Sequence, residues 1–238
     1  MAKLVLALDF REREKLERIL KEVEGAPIWV KVGLEAISAF GLSIISELKE
    51  KGFSVFVDMK LHDIPNTVES ATRVITKIGA DMLNVHCSGG KAMCSAAVFG
   101  AKDEVEKLGI KKPYVLGVTV LTSMGVEDLG AIGMRGTTRE TVIRLASLGK
   151  EAGLDGIVSS AQEIKVLREY FGKDFVILTP GIRPLGNEIN DQKRIATPSE
   201  AVKSGADFLV VGRPITAASS PKEAVNAILK EIEEAEKS

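Results

Sequence analysis

The sequence predicts a single-domain α/β protein, most simply a closed (β/α)8 TIM barrel spanning residues 1–238. Three observations lead there. Eight short β-prone apolar runs recur along the chain, helical segments separate them, and no linker, charge block or low-complexity stretch divides it. A length of 238 residues suits one barrel of this type. An open doubly wound sheet is the alternative that the same alternation permits.

The predicted strands are, in order, Leu4–Leu8, Ile28–Val32, Phe53–Val57, Met82–Val85, Tyr114–Val120, Gly156–Val158, Phe175–Leu178 and Phe208–Val211. Most are nearly continuous in apolar residues rather than alternating, as parallel strands buried on both faces require. After the first run, Leu16, Ile19, Leu20 and Val23 recur at helical spacing. Val68, Ala71, Ile75 and Ile78 follow a similar rhythm after the third, and Val225, Ile228, Leu229 and Ile232 after the eighth. Thr197-Pro198-Ser199-Glu200 reads as a capping box with proline at the first helical position, and Ser220-Pro221 opens the final helix in the same way.

Composition narrows the function classes. With 45% hydrophobic and 27% charged residues, the chain can bury a sizeable core and still cover it. Basic residues number 32 and acidic residues 33, so no clustered basic excess marks a nucleic-acid partner. Met1-Ala2-Lys3-Leu4 runs straight into an apolar stretch without a signal-peptide layout, and no apolar run approaches the roughly 20 residues that span a bilayer. The expectation is a soluble, cytoplasmic protein with no membrane partner. Cys87 and Cys94 stand outside any C-x-x-C spacing, and His62 and His86 are the only histidines, so neither a disulfide scaffold nor a metal centre is expected.

In such a barrel the C-terminal ends of the strands build the active site. The predicted first strand stops at Asp9, the second carries Lys31, and the third runs into Asp58-Met59-Lys60-Leu61-His62-Asp63. Charges inside or just after apolar runs are costly to bury unless paired, which singles out Lys31, Asp58 and Lys60. Each taken alone can simply finish a strand and face solvent. Together they form a set, because period-two alternation puts Asp58 and Lys60 on one side of an extended backbone. Acids and bases converging in a barrel mouth would support one another's charge. His62 reads as structural and His86 as a packed strand end.

Gly212-Arg213-Pro214-Ile215 follows the last strand. A glycine there allows close backbone approach to a ligand, a short helix is expected from Pro214, and the loops after strands seven and eight are the usual phosphate site. Arg213 and Arg183 could supply forked donors to phosphate oxygens; a turn glycine beside a solvated arginine is the plain alternative. Ser88-Gly89-Gly90-Lys91 fails as a P-loop, because Ala92 follows the lysine.

These residues resemble the orotidine 5′-phosphate decarboxylase family of the bacterial type over essentially the full chain. Asp58-Met59-Lys60-Leu61-His62-Asp63-Ile64-Pro65-Asn66-Thr67 is similar to the family's D-x-K-x-x-D-I-P-x-T signature. Leu8-Asp9, Lys31-Val32-Gly33, Leu121-Thr122-Ser123-Met124, Pro180-Gly181-Ile182-Arg183, Asp191-Gln192 and Val211-Gly212-Arg213-Pro214 extend the match in the family's order. The resemblance implies cofactor-free decarboxylation of orotidine 5′-monophosphate to uridine 5′-monophosphate, the last step of pyrimidine nucleotide synthesis. It implies Lys60 as proton donor, Asp58 beside the substrate carboxylate, and Lys31 and Asp63 completing the charged array. Asp9 and Lys31 would hold the ribose, with Thr122 and Ser123 near the pyrimidine. Arg183, Gln192, Gly212 and Arg213 would bind the phosphate, with the 183–192 loop as a lid. Asp63 and Thr67 would reach the neighbouring subunit's site in a homodimer.

Two other readings share these features. Magnesium-dependent sugar-phosphate decarboxylases and aldolases on the same barrel resemble the strand-three motif and the phosphate site. They place an acid where this chain has Lys31, and a cation there repels Mg²⁺. A barrel that only binds a nucleotide phosphate is the non-enzymatic reading; it has no need to gather Asp58, Lys60 and Asp63.

Overall fold

Eight apolar runs become eight strands: β1 (Lys3–Ala7), β2 (Trp29–Gly33), β3 (Ser54–Leu61), β4 (Met82–His86), β5 (Tyr114–Val118), β6 (Gly156–Val158), β7 (Val176–Thr179) and β8 (Phe208–Val211). The structure, a computed structural model, describes residues 1–184 and 196–237. Every neighbouring pair is parallel, and the order β1 to β8 closes on itself. The closing ladder pairs Lys3 with Phe208 through to Leu6 with Val211, which rules out the open sheet.

Most strand ends lie within two residues of those expected. The third is longer, continuing to Leu61 rather than stopping at Val57. Its register against β4 shifts between Val57 and Leu61, where Leu61 pairs with Val85. The motif residues Asp58, Met59 and Lys60 therefore sit within an irregular stretch of strand rather than in the loop after it.

Helices cover the outside. Leu16, Ile19 and Leu20 of Arg13–Glu22 are buried, as are Val225, Ile228 and Ile232 of Pro221–Lys237. In Pro65–Ile78 the buried face is Val68, Thr72, Ile75 and Thr76, so it is turned from the expected stripe and leaves Ala71 and Ile78 half-buried. Thr197 caps Pro198–Ser204 through the Glu200 N–H, and the Glu200 carboxylate accepts from the Thr197 N–H at 2.8 Å, completing the expected box. The short helix after β8 is Arg213–Thr216, so Arg213 opens it and Pro214 follows.

The barrel's N-terminal end is plugged by side chains from the first residues of its strands. Trp29 meets Phe208 edge-on at 5.1 Å between ring centroids, and Tyr114 meets Phe208 at 6.0 Å. The Lys3 ammonium lies 5.4 Å from the Trp29 ring centroid and 5.6 Å from that of Phe208, a cation–π arrangement that lets a charged residue finish the floor. Cys87 and Cys94 are free thiols, both buried. Among the described residues no helix is long and apolar enough to cross a membrane.

Candidate active site

With the floor plugged, the open volume lies at the other end. A cavity of about 490 Å³ occupies the C-terminal mouth. Its base is apolar, from Ala7, Phe56, Val118, Val158, Leu178 and Val210, and its walls carry Asp9, Lys31, Asp58, Lys60, Arg183 and Arg213. Polar groups converging on an apolar concavity are the usual form of a small-molecule site.

The charges form one continuous chain. Lys31 Nζ lies 3.0 Å from Asp9 Oδ1 and 3.3 Å from Asp58 Oδ2, and Lys60 Nζ lies 2.7 Å from Asp58 Oδ1. Lys31 is only 8% exposed. Its space comes partly from Gly33, where a Cβ would lie 3.2 Å from the Lys31 ammonium. Burial on its own would lower the Lys31 pKa, but Asp58 and then Asp9 outweigh it and hold the lysine above its ordinary value. Burial likewise pushes the Asp58 carboxyl up, and Lys31, Lys60 and the hydrogen bonds from Lys60 and Asn84 pull it below its ordinary value. Lys31 and Asp58 therefore both favour their ionised forms, as alternating neighbours should.

Lys60 holds the one non-glycine positive φ among the described residues, +52°. Simple alternation is thus broken at the residue for which it was invoked. Asp58 and Lys60 still meet because Lys60 turns back over the irregular strand, where its N–H donates to Asn84 Oδ1 at 2.8 Å. Left-handed backbone at a residue with a Cβ is strained, and such strain gathers at functional sites.

The part of the wall that follows β7 and β8 carries Pro180, Gly181, Arg183, Gly212 and Arg213. Gly181 has φ +81°, a conformation that lets the chain turn at the rim before Arg183. Arg183 is buried and donates to the Ile182 carbonyl, while Arg213 is exposed at the start of its short helix. Residues 2–228 match the family model described as "Orotidine 5'-phosphate decarboxylase / HUMPS family".

The chain belongs to this family.

Among the proteins similar to this decarboxylase-family chain, the orotidine 5′-phosphate decarboxylase of Vibrio vulnificus (strain CMCP6) is 46% identical over 226 residues, covering 95% of this chain and 96% of the relative. That of Moorella thermoacetica is 46% identical over 232 residues, covering 97% and 92%. The crystal structure of orotidine 5′-phosphate decarboxylase from Lactobacillus acidophilus superposes with a TM-score of 0.88 at 38% identity, covering 98% of this chain and 99% of that one.

The expected family residues divide into three groups. Asp9, Lys31, Asp58, Lys60, Thr122, Arg183, Gly212 and Arg213 line the one cavity. Asp63, Thr67 and Ser123 are exposed and do not line it in this chain; Asp63 Oδ1 accepts from the Ile64 N–H at 2.6 Å. Gln192, Asp191 and most of the expected lid lie outside the described residues. The His62 and His86 rings lie with centroids 5.4 Å apart, tilted by 35°, and burial, then the proximity of His62 and Lys60, lowers the His86 pKa. Among the described residues no three His, Cys, Asp or Glu side chains gather as a metal site.

The sequence reading missed Asn84, Glu35 and Ser159. Asn84 Nδ2 donates to Asp58 Oδ1 at 2.8 Å. The available signal was a polar residue in the middle of the apolar run Met82–Val85. Glu35, paired with Arg11 at 2.7 Å, and Ser159, just past β6, line the cavity without any pattern that marks them.

Proposed function

We propose that this chain is an orotidine 5′-monophosphate decarboxylase acting without a cofactor, with residues 1–238 forming one barrel domain. The observation that carries the reading is the unbroken Asp9–Lys31–Asp58–Lys60 array in the cavity that Arg183 and Arg213 also line. In the reaction the bond between the ring carbon and the carboxylate breaks, its electron pair stays on the ring carbon, and carbon dioxide leaves. No adjacent carbonyl can absorb that pair, so fixed charge must stabilise it, and the Lys60 ammonium, held at 2.7 Å from Asp58, supplies that charge. Lys60 then gives its proton to the carbon and regains one from water. Asp58 keeps Lys60 charged and aimed, and stands where it repels the substrate carboxylate. Asp9 and Lys31 take the ribose hydroxyls, Thr122 the pyrimidine, and Arg183, Gly212, Arg213 and Gln192 the phosphate, while Ser123, which does not line the cavity, is left out of the binding set. Gripping the phosphate supplies binding energy remote from the reacting carbon.

Lys31 also bears on the magnesium-dependent relatives. Its ammonium sits between Asp9 and Asp58, where a divalent ion would otherwise be drawn.

A homodimer with shared sites belongs to the same proposal. The run His62 to Thr67, directly after the strand that carries Lys60, is exposed, with Ile64 66% accessible. Asp63 and Thr67 on that run serve the neighbour's cavity.

Ultraviolet-monitored turnover of orotidine monophosphate tests the activity. The Lys60→Ala variant should lose at least about a thousandfold in kcat, ~4 kcal/mol of transition-state stabilisation, while remaining folded. Turnover near wild type in that variant would remove Lys60 from the mechanism. For the dimer, Lys60→Ala and Asp63→Asn should each be nearly inactive alone. Refolded together in equal amounts they form about half hybrids, restoring about a quarter of the sites. Hybrids seen by native mass spectrometry without recovered activity refute the shared site.

A further inference from the structure

We infer that Asn84 is a positioning residue for the reaction, one side-chain amide that sets both the backbone of Lys60 and the carboxylate of Asp58. The inference rests on the decarboxylase reading above and adds to it a residue that never touches the reacting carbon.

Asn84 is in the middle of β4, beside Leu116 in the β5 ladder, and is 1% exposed. Leu116 and Met82 both belong to the apolar filling of the barrel, so an apolar side chain would pack at this position. An amide here is buried at a cost unless both its ends are bonded. Both are. Oδ1 accepts from the Lys60 N–H and Nδ2 donates to Asp58 Oδ1, each at 2.8 Å. Those partners also settle which end is which, because a peptide N–H only donates and an ionised carboxylate only accepts.

Each bond meets a local need. Between Val57 and Leu61 the β3–β4 register breaks, so the Lys60 N–H falls in the interrupted part of the ladder. The Asn84 carbonyl oxygen stands in for a ladder partner and holds Lys60 at its φ of +52°. Asp58 Oδ1 takes Lys60 Nζ at 2.7 Å and Asn84 Nδ2 from another side, while Oδ2 is left for Lys31. One rigid side chain thus fixes the base of the lysine and the acid that its tip meets. A leucine offers neither bond. An aspartate at this position presents two acceptors, one of them against Asp58, until it is protonated.

The test compares wild type, Asn84→Ala and Asn84→Asp on orotidine monophosphate, with affinity for uridine monophosphate and thermal melting measured alongside. Asn84→Ala should lose about a hundredfold in kcat, the scale of a small misplacement of reacting groups, with uridine monophosphate affinity within about threefold of wild type. Asn84→Asp, nearly the same shape, should be impaired at about pH 8 and recover at least about tenfold relative to wild type by about pH 5, as the introduced carboxyl gains the proton that restores its donor. Asp58, Lys60 and His62 from β3 and its following turn, His86 on β4, Lys31 on β2 and Asp9 after β1 also face this region. They are common to both proteins, so the variant-to-wild-type ratio reports the introduced group. Wild-type kcat in Asn84→Ala, or equal losses in kcat and product affinity, overturns the inference. If Asn84→Ala fails to fold, a pH-independent ratio for Asn84→Asp overturns it. Absence of wild-type turnover overturns the decarboxylase reading itself, and the inference with it.

Discussion

Asp58 is the hub of the charged array, and neutralising it should destabilise the fold by an amount the geometry sets. Its carboxylate meets Lys31 Nζ at 3.3 Å and Lys60 Nζ at 2.7 Å, and the Asp58 side chain is 13% exposed. At 3.3 Å, an effective dielectric near 20 gives about 5 kcal/mol of attraction to Lys31 alone. Desolvation offsets part of this, and breaking a buried pair by removing one member costs about 3–5 kcal/mol. Because Asp9 remains 3.0 Å from Lys31, we take the lower end, about 3 kcal/mol, for Asp58→Asn. For a chain of 238 residues the unfolding entropy is about 0.5 kcal/mol/K, so the melting temperature should fall by about 6 °C. The assay is thermal unfolding at neutral pH of wild type, Asp58→Asn, Lys31→Met and the double variant. Removing both members leaves no orphaned lysine at position 31, so the double variant should be less destabilised than the sum by about 2 kcal/mol. A melting temperature within about 1 °C of wild type for Asp58→Asn, or strict additivity, would refute the argument that these charges are mutually supporting.

Other consequences can be measured separately. The Asp58 carboxyl is held below its ordinary value of 3.8, so its contribution is fully present above that pH and is lost as pH falls through the folded value. The melting difference between wild type and Asp58→Asn should therefore be flat from about pH 5 to about pH 9 and shrink below about pH 4; a difference that fades already at pH 6 contradicts this sign. Lys31 is held above its ordinary 10.5, so its contribution is complete below that pH and declines only at more alkaline values, as the melting of Lys31→Met relative to wild type should show. Arg213→Ala should cost about 2–5 kcal/mol in kcat/KM for the phosphorylated substrate and far less for orotidine without its phosphate; equal losses would show that the guanidinium acts elsewhere. Turnover should persist in EDTA, since Lys31 already supplies the cation between Asp9 and Asp58. Loss on chelation with rescue by Mg²⁺ would shift the assignment towards the magnesium-dependent relatives.

Much of this was legible in the chain itself. The barrel follows from apolar runs and helical stripes, because burial on both faces leaves a continuous hydrophobic signature in each strand. Asp9, Lys31, Asp58 and Lys60 were legible because a charge beside an apolar run is anomalous whatever its role. What escaped were features made by contact between distant segments. The positive φ of Lys60 depends on a register shift against β4, and Asn84 acts through atoms that meet only when β3 and β4 pair. The turned face of Pro65–Ile78 escaped for a related reason, since threonines count as polar in a periodicity, whereas Thr72 and Thr76 lie on the buried face here. The exposed positions of Asp63 and Thr67 cannot be read from spacing either, because exposure next to a catalytic strand takes its meaning from a second copy of the chain.

The aromatic floor has a consequence for traffic. Trp29, Tyr114 and Phe208 close the floor, so among the described residues the cavity opens at the C-terminal end alone. A reaction that splits one molecule into a small gas and a large nucleotide must send both out by the same way. In the proposed binding mode the carboxylate departs beside Asp58 while Arg183 and Arg213 hold the phosphate, so the nucleotide would stand between the departing gas and the mouth. Opening a second route by trimming the floor, for example Trp29→Ala, would separate the two departures, and the order in which products leave would then cease to be dictated by the architecture.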